Sequence, residues 1–332
     1  ILRSPLSAFS TVRIPARIAF HDLLPPQQSM LDEVAAGLAR PRKELSPKFF
    51  YDARGCELFE AICALPEYYP TRAELTIMRT HARDMAAAAG LDCSLIEIGC
   101  GNSEKTRALL EELRPGVFTA IDIAREQLET SCNALAESFP HMRVVAVRAD
   151  FARDFTLPPE ADAAARRVLY FPGSTIGNFT PAEARAFLAR WAPQLGSGGG
   201  ALIGVDLKKD PAVLNAAYND AQGVTAAFNL NVLRHINREL GADFDLDAFR
   251  HDARFVAAEG RIEMHLTSLK AQRVTLAGRV YDFRAGESIH TENSYKYEIA
   301  EFQALARTAG FKSVQCWTDE RRLFSVHYLT LP

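Results

Sequence analysis

The stretch Leu95-Ile-Glu-Ile-Gly-Cys-Gly-Asn-Ser-Glu-Lys-Thr106 constrains what this chain can fold into more than any other. An apolar run carrying one carboxylate, Glu97, leads into a Gly-x-Gly turn and then a helix start. This reads as the first strand and nucleotide loop of a doubly wound α/β domain. The glycine spacing narrows the ligand. A dinucleotide fold wants a third glycine at position 104, where the helix packs against the pyrophosphate, and Glu104 would crowd and repel those phosphates. S-adenosyl-L-methionine, a cofactor without phosphates, suits Gly99 and Gly101 better. Glu97 can meet its cationic amino-acid end directly or through water.

The pattern downstream alternates as βαβ units do. Strands are expected over 94–98, 117–121, 143–147, 168–171 and 201–206. Helices are expected over 106–113, 126–138 and 181–191, the last opened by a capping box of Thr180 and Glu183. A helix over 299–309 ends at Gly310, and two strands over 312–317 and 323–331 close the sheet as a hairpin. Residues from about 208 to 297 fall outside this scheme and read as an insertion. It opens with helices over 212–228 and 229–240 and continues as strands over 252–257, 261–266, 271–276 and 279–283. Upstream, helices are expected over 27–39 and 52–65, and Thr71 with Glu74 forms a capping box for a helix ending at Ala89. The expected fold class is α/β: a class I, Rossmann-like methyltransferase sheet with a second, α+β substrate-binding domain. The expected boundaries are a flexible arm over 1–22, a cofactor domain over 73–208 and 298–332, and a substrate domain over 23–72 and 209–297.

Length and composition exclude several classes. The chain has 332 residues, enough for two cores, and a net charge of −3, which implies no broad basic face for nucleic acid. No apolar run approaches the roughly 20 residues of a membrane helix. Cys56, Cys63, Cys93, Cys100, Cys132 and Cys316 form no C-x-x-C pair, and the histidines show no zinc spacing. No metal is therefore expected, and the thiols suit a reducing cytoplasm. Cys100 lies inside the glycine loop and is not expected to act as a nucleophile. Arg3, Arg13 and Arg17 precede the first acid, Asp22, a faint likeness to a transit peptide without its amphipathic core.

Several side chains are candidates for chemistry. Asp122 ends the second strand about 25 residues after Glu97, near the spacing of a ribose-binding acid. Asp150 and Phe151 follow the third strand and suit adenine, the acid for its exocyclic amine and the ring for its face. Gly173-Ser-Thr-Ile-Gly-Asn178 follows the fourth strand, whose end faces the reacting methyl in this fold. Asn178 there can hold an amine, or can simply shape a glycine turn. Tyr51, Tyr68 and Tyr218 lie in the two flanking segments, where packing competes with ligand binding. Glu292 and Ser294 stand two apart on an extended segment and point the same way, either to grip an N–H-bearing ring or as a solvated strand end.

Together these residues resemble the histidine N-alpha-methyltransferases of ergothioneine biosynthesis. The likeness rests on Pro47–Gly55, Leu65–Glu74, Ile96–Lys105, Gly173–Asn178, Asp210–Phe228, Asn237–Leu240 and Thr291–Tyr297. Tyr-Asp-Ala-Arg-Gly and Pro-Glu-Tyr-Tyr-Pro-Thr-Arg are its most distinctive parts, and the match spans about 24 to 330. The resemblance implies three methyl transfers to the α-amine of free L-histidine, giving hercynine. It implies that Asn178 and Tyr218 grip the substrate carboxylate and amine, and that Glu292 and Ser294 clamp the imidazole. Tyr68 would lie beside that ring and Tyr51 near the amino group. Gly99, Lys105, Asp122 and Asp150 match the family's cofactor contacts. With no sulfoxide-synthase domain in the sequence, methylation alone is expected.

The amine would attack the sulfonium methyl in line, with positioning and desolvation lowering most of the barrier and Tyr51 or water relaying the proton. Two rivals stand beside this reading. One is the same chemistry on another amino acid, such as tryptophan, or on a biogenic amine. The other is a cofactor-binding regulatory protein without turnover. The expected partner is a small molecule, with neither nucleic acid nor membrane, and the chain is expected to act as a cytoplasmic monomer.

Overall fold

The computed structural model describes residues 18–24, 28–91, 93–101, 104–161 and 166–332. The chain enters as β1 (Ile18–Asp22), followed by α1 (Gln28–Leu38), α2 (Ala53–Ala64) and α3 (Tyr69–Ala89). Five strands with three α-helices between them come next: β2 (Cys93–Ile98), α4 (Glu104–Leu113), β3 (Val117–Asp122), α5 (Arg125–Ser138), β4 (Arg143–Arg148), β5 (Arg166–Phe171), α6 (Pro181–Leu195) and β6 (Gly200–Asp206). The insertion holds α7 (Pro211–Tyr218), α8 (Val224–Leu240), β7 (Phe249–Val256), β8 (Arg261–Ser268), β9 (Gln272–Leu276), β10 (Arg279–Phe283) and β11 (Ser288–Tyr295). The chain closes with α9 (Ile299–Thr308), β12 (Lys312–Thr318) and β13 (Phe324–Thr330).

Eight strands form one sheet in the order β1-β4-β3-β2-β5-β6-β13-β12. The first six run parallel, and β13 and β12 are antiparallel, as the expected terminal hairpin requires. β2 is buried along its whole length because helices cover both faces. Its alternation divides the core. Cys93 and Leu95 join α3, α4 and α5 on one face, while Ile96 and Ile98 join α6 and α9 on the other. No helix among the described residues is long and apolar enough to cross a membrane.

A third apolar cluster lies apart from the sheet. It unites Val34, Leu38, Phe50 and Leu58 with Leu214, Val232, Met264, Leu276 and Ile289. The segments before α3 and after β6 thus share one core despite their distance in sequence. β7, β8 and β11 form its small antiparallel sheet, and β9 and β10 form a separate hairpin.

The structure departs from the sequence reading at four places. Residues 18–22 of the expected arm form an edge strand paired with β4; residues 1–17 lie outside the described residues. The expected helix over 212–228 breaks after Tyr218, because Asp220 accepts from the N–H groups of Val224 and Thr225 at 2.9 and 2.8 Å and starts α8 anew. Glu74 does not cap α3, which begins at Tyr69 with Pro70 in its first turn. It is fully buried instead and accepts from the Gly173 N–H at 2.9 Å. The polar run around 291–297 contains a full strand, β11, whose polar residues line an interior.

Local sequence explains how the N-terminal segment locks to α8. Asp52 caps α2 by accepting from the Gly55 N–H at 2.8 Å. The same carboxylate accepts from Asn231 at 2.7 Å and pairs with Arg238 at 2.8 Å. Gly55 is required because a Cβ there would lie 1.6 Å from the Phe50 carbonyl oxygen. Gly55→Ala is expected to lower unfolding free energy by about 1–3 kcal/mol through overpacking, measured by urea denaturation.

Candidate active site

The crevice lies at the carboxyl ends of the parallel strands, where open α/β sheets bind ligands. Gly99 and Gly101 adopt φ of 72° and 46° after β2, and a Cβ on either would meet nothing within 4 Å. The loop therefore fronts open space. Gly99 N–H donates to the Ile121 carbonyl at 2.8 Å, and the Gly101 carbonyl accepts from Ser131 at 2.5 Å. Asn102 and Ser103 of the motif lie outside the described residues.

Beneath this loop Glu97 is buried. One carboxyl oxygen accepts from Thr106 at 2.5 Å, while the other has no partner among the described residues. Burial pushes its pKa up to about 8, with Asp122 and Glu74 adding to the rise and Thr106 and Lys105 opposing it. A buried carboxyl with an unpartnered oxygen under an open glycine loop fits a ligand carrying a cationic group. Asp122 ends β3 and accepts from the Ala124 N–H at 3.0 Å. Burial raises its pKa against the backbone N–H groups of Ala124, Ile123 and Gly101. Lys105 pairs with Glu74 at 2.6 Å. Burial disfavours its charge, but Glu74 outweighs that effect and raises its pKa. Asp150 accepts from Lys48 at 2.8 Å and also faces Arg153, so a residue of the N-terminal segment already holds it. Phe151 packs edge-on against Phe171 and Phe179.

Two cavities open beside these residues. The larger, of about 890 Å3, runs between the β3–α5 turn and the N-terminal segment, with Asp150, Ala124, Lys48 and Tyr51 on its walls. The smaller, of about 60 Å3, is lined by Tyr51, Tyr68, Asn178, Tyr218, Glu292 and Ser294. Tyr51 borders both and marks where they meet. The structure thus brings together all six residues expected around a substrate. It adds Phe59, Thr225, Phe228 and Met264, for which the sequence offered no local signal.

The chain conformation explains how these side chains converge. After β5, Gly173 and Ser174 both adopt positive φ, 75° and 56°, and turn the loop sharply; Asn178 itself follows as ordinary short helix. Gly177 permits close approach to β11, since a Cβ there would lie 2.8 Å from the Tyr295 carbonyl oxygen. Asn178 Nδ2 consequently reaches Glu292 Oε1 at 3.4 Å. On β11, Glu292, Ser294 and Lys296 follow one face with period two. Tyr218 donates to Ser294 Oγ at 2.8 Å, and buried Lys296 donates to Ser294 Oγ at 2.7 Å and to the Tyr218 oxygen at 3.2 Å. Extending the same spacing by one step would have singled out Lys296 from sequence. Tyr51, Phe59 and Phe228 form a mutual triangle with ring centroids 5.8–5.9 Å apart. Burial, and then Glu292 and Asp122, raise the Tyr51 phenol well above its usual range.

This sheet order and crevice define a class I S-adenosylmethionine-dependent methyltransferase. The chain belongs to the histidine-specific, S-adenosylmethionine-dependent methyltransferases, whose family model matches residues 30–331. It is 44% identical over 298 residues to the histidine N-alpha-methyltransferase of Mycolicibacterium smegmatis, covering 88% of this chain and 92% of that protein. The protein of the same name from Mycobacterium tuberculosis is 44% identical over 294 residues, covering 87% and 90%. Ergothioneine biosynthesis protein 1 of Neurospora crassa is 35% identical over 286 residues, which cover 83% of this chain and 32% of that longer protein.

Burial pushes the Glu292 pKa from 4.5 up to about 7, with Lys296 opposing the rise. Between these values the unfolded chain releases the proton first, so stability falls as pH rises through the window. Glu292→Gln lacks this slope and is expected to be the more stable protein above about pH 7. Thermal midpoints of both proteins across that range check the sign.

Proposed function

We propose that this chain transfers methyl groups from S-adenosyl-L-methionine to the α-amine of L-histidine, three times, to give hercynine in ergothioneine biosynthesis. The observation that carries the reading is the smaller cavity: a buried carboxylate, Glu292, faces it together with the Ser294 and Tyr218 hydroxyls, and Tyr51 joins it to the cofactor crevice. When bound, S-adenosyl-L-methionine supplies an electrophilic methyl group on a positively charged sulfur. Glu97, Gly99, Gly101 and Lys105 would hold its amino-acid end, and Asp122, Asp150 and Phe151 its adenosine.

Glu292 accepts from a ring N–H of the substrate, and Ser294 serves the other ring nitrogen. Tyr68 flanks the ring. Asn178 turns its amide nitrogen to Glu292 and so keeps its carbonyl oxygen for the substrate amine. Tyr218 donates to Ser294 Oγ and so orients the hydroxyl side of the clamp. Tyr51 stays a neutral phenol, because burial and the neighbouring carboxylates oppose its ionisation. It can relay a proton but is no standing base, so rate enhancement rests on positioning and exclusion of water. The rings of Tyr51, Phe59 and Phe228 offer faces to a methylated ammonium. A quaternary nitrogen has no lone pair, and transfer stops there.

Incubation with S-adenosyl-L-methionine and each free amino acid, followed by mass spectrometry, tests the reading. Mono-, di- and trimethylated histidine are expected; products from tryptophan alone, or none at all, refute it. Glu292→Ala is expected to weaken histidine binding about tenfold or more, since losing a charged hydrogen bond costs roughly 1.5–3 kcal/mol. Unchanged affinity in titration calorimetry would remove Glu292 from the clamp.

A further inference from the structure

Lys296 is a charged side chain in direct contact with the hydroxyl side of the pocket. Its side chain is fully buried, and its ammonium meets three acceptors: Asp206 at 2.7 Å, Ser294 at 2.7 Å and Tyr218 at 3.2 Å. All three N–H groups are thereby satisfied. Ser294 and Tyr218 also touch each other at 2.8 Å. Each oxygen already accepts from Lys296. Of their two hydroxyl hydrogens, one bridges the pair, whichever residue donates it. One hydrogen remains for a ligand.

The charges around this contact point the same way. Asp206 faces two lysines, Lys296 and Lys209, the latter at 2.6 Å, and accepts from Tyr69 at 2.7 Å. Two buried cations therefore share one directly paired carboxylate. Glu292 is the pocket's own carboxyl group, and the Lys296 charge favours its ionised form against burial.

Resting on the reading of this pocket as a histidine site, we infer that Lys296 is a positioning residue that sets the polarity of the ring clamp. By donating to both hydroxyls it occupies their acceptor sites, so that they offer a ligand their one remaining hydrogen, and by its charge it favours Glu292 as the acceptor. The clamp then presents one donor and one acceptor. A neutral imidazole, with one N–H and one bare nitrogen, satisfies both. An imidazolium has no bare nitrogen, and an indole or a thiophene ring leaves at least one clamp group unpaired.

The test compares wild type with Lys296→Met, using histidine and thienylalanine, whose ring lacks nitrogen. The KM for histidine is expected to rise about tenfold or more, with kcat changing less than about threefold and the cofactor dissociation constant less than about twofold. Preference for histidine over thienylalanine should fall by about tenfold or more. In a Ser294→Ala background the same substitution should alter KM by less than about threefold, because both changes remove one interaction. A general loss of packing would move neither the preference nor the additivity in this way. Should Lys296→Met not fold, Lys296→Met with Asp206→Asn removes both charges and carries the same readouts. A folded variant with unchanged KM and preference, or losses that add to those of Ser294→Ala, overturns the inference alone. A wild type that does not methylate histidine overturns the substrate reading, and this inference with it.

Discussion

The buried contact between Asp206 and Lys296 organises the rest of the molecule. Asp206 is the last residue of β6, where the chain leaves the main sheet, and Lys296 lies just past β11, where it comes back. Backbone bonds run alongside: Tyr297 N–H donates to the Asp206 carbonyl and Lys208 N–H to the Tyr297 carbonyl, both at 3.1 Å. Ser174 Oγ accepts from the Asp206 N–H at 2.9 Å, which ties the loop after β5 to the same point. An insertion of some ninety residues is thus anchored at its neck, and the side chains that form the small cavity radiate from that anchor. Removing Asp206 would leave two buried lysines without their shared carboxylate, which proteins tolerate poorly, whereas removing Lys296 leaves Asp206 paired with Lys209.

Much of this was legible in sequence. The strands of the main sheet other than β1, the terminal hairpin, the Thr180–Glu183 capping box and the insertion stand where hydropathy and turn chemistry place them. Those signals are local and strong: continuous apolar runs bounded by turn residues, and a cap with its box residue. The errors arose where a distant partner overrode a local preference. Glu74 has the right spacing for a cap, but Gly173 and Lys105, both remote in sequence, claim its carboxylate. Ile18–Asp22 is too short to announce itself and becomes a strand only because β4 offers an open edge.

The site shows the same division. Glu292 and Ser294 were visible because alternation on an extended segment is a local property. Phe59, Phe228 and Met264 were not, because nothing near them in the chain says that they converge. Lys296 was hidden differently. A lysine near a strand end reads as solvated, and only the tertiary structure shows it wholly enclosed. The cofactor side likewise joins elements that local patterns treat separately. Lys48 bridges Asp150 and Glu33, so the segment covering the crevice is tied directly to the strand end beneath it.

The core shared by the first and third parts of the chain sets an order of events during synthesis. Leu45 N–H donates to the His290 carbonyl and His290 N–H to the Lys43 carbonyl, and Lys43 pairs with Glu287 across 244 positions. At about 5–20 residues per second, a ribosome needs roughly 12–50 s to supply those partners. During that interval the parallel strands from β1 to β6 can assemble from neighbours, while Val34, Leu38 and Phe50 lack their final neighbours and β12 and β13 are still to come. The pocket is therefore completed only after the strands from β2 to β6 have been made, and until then the uncovered apolar faces of the N-terminal helices are where the newborn chain is most open to aggregation.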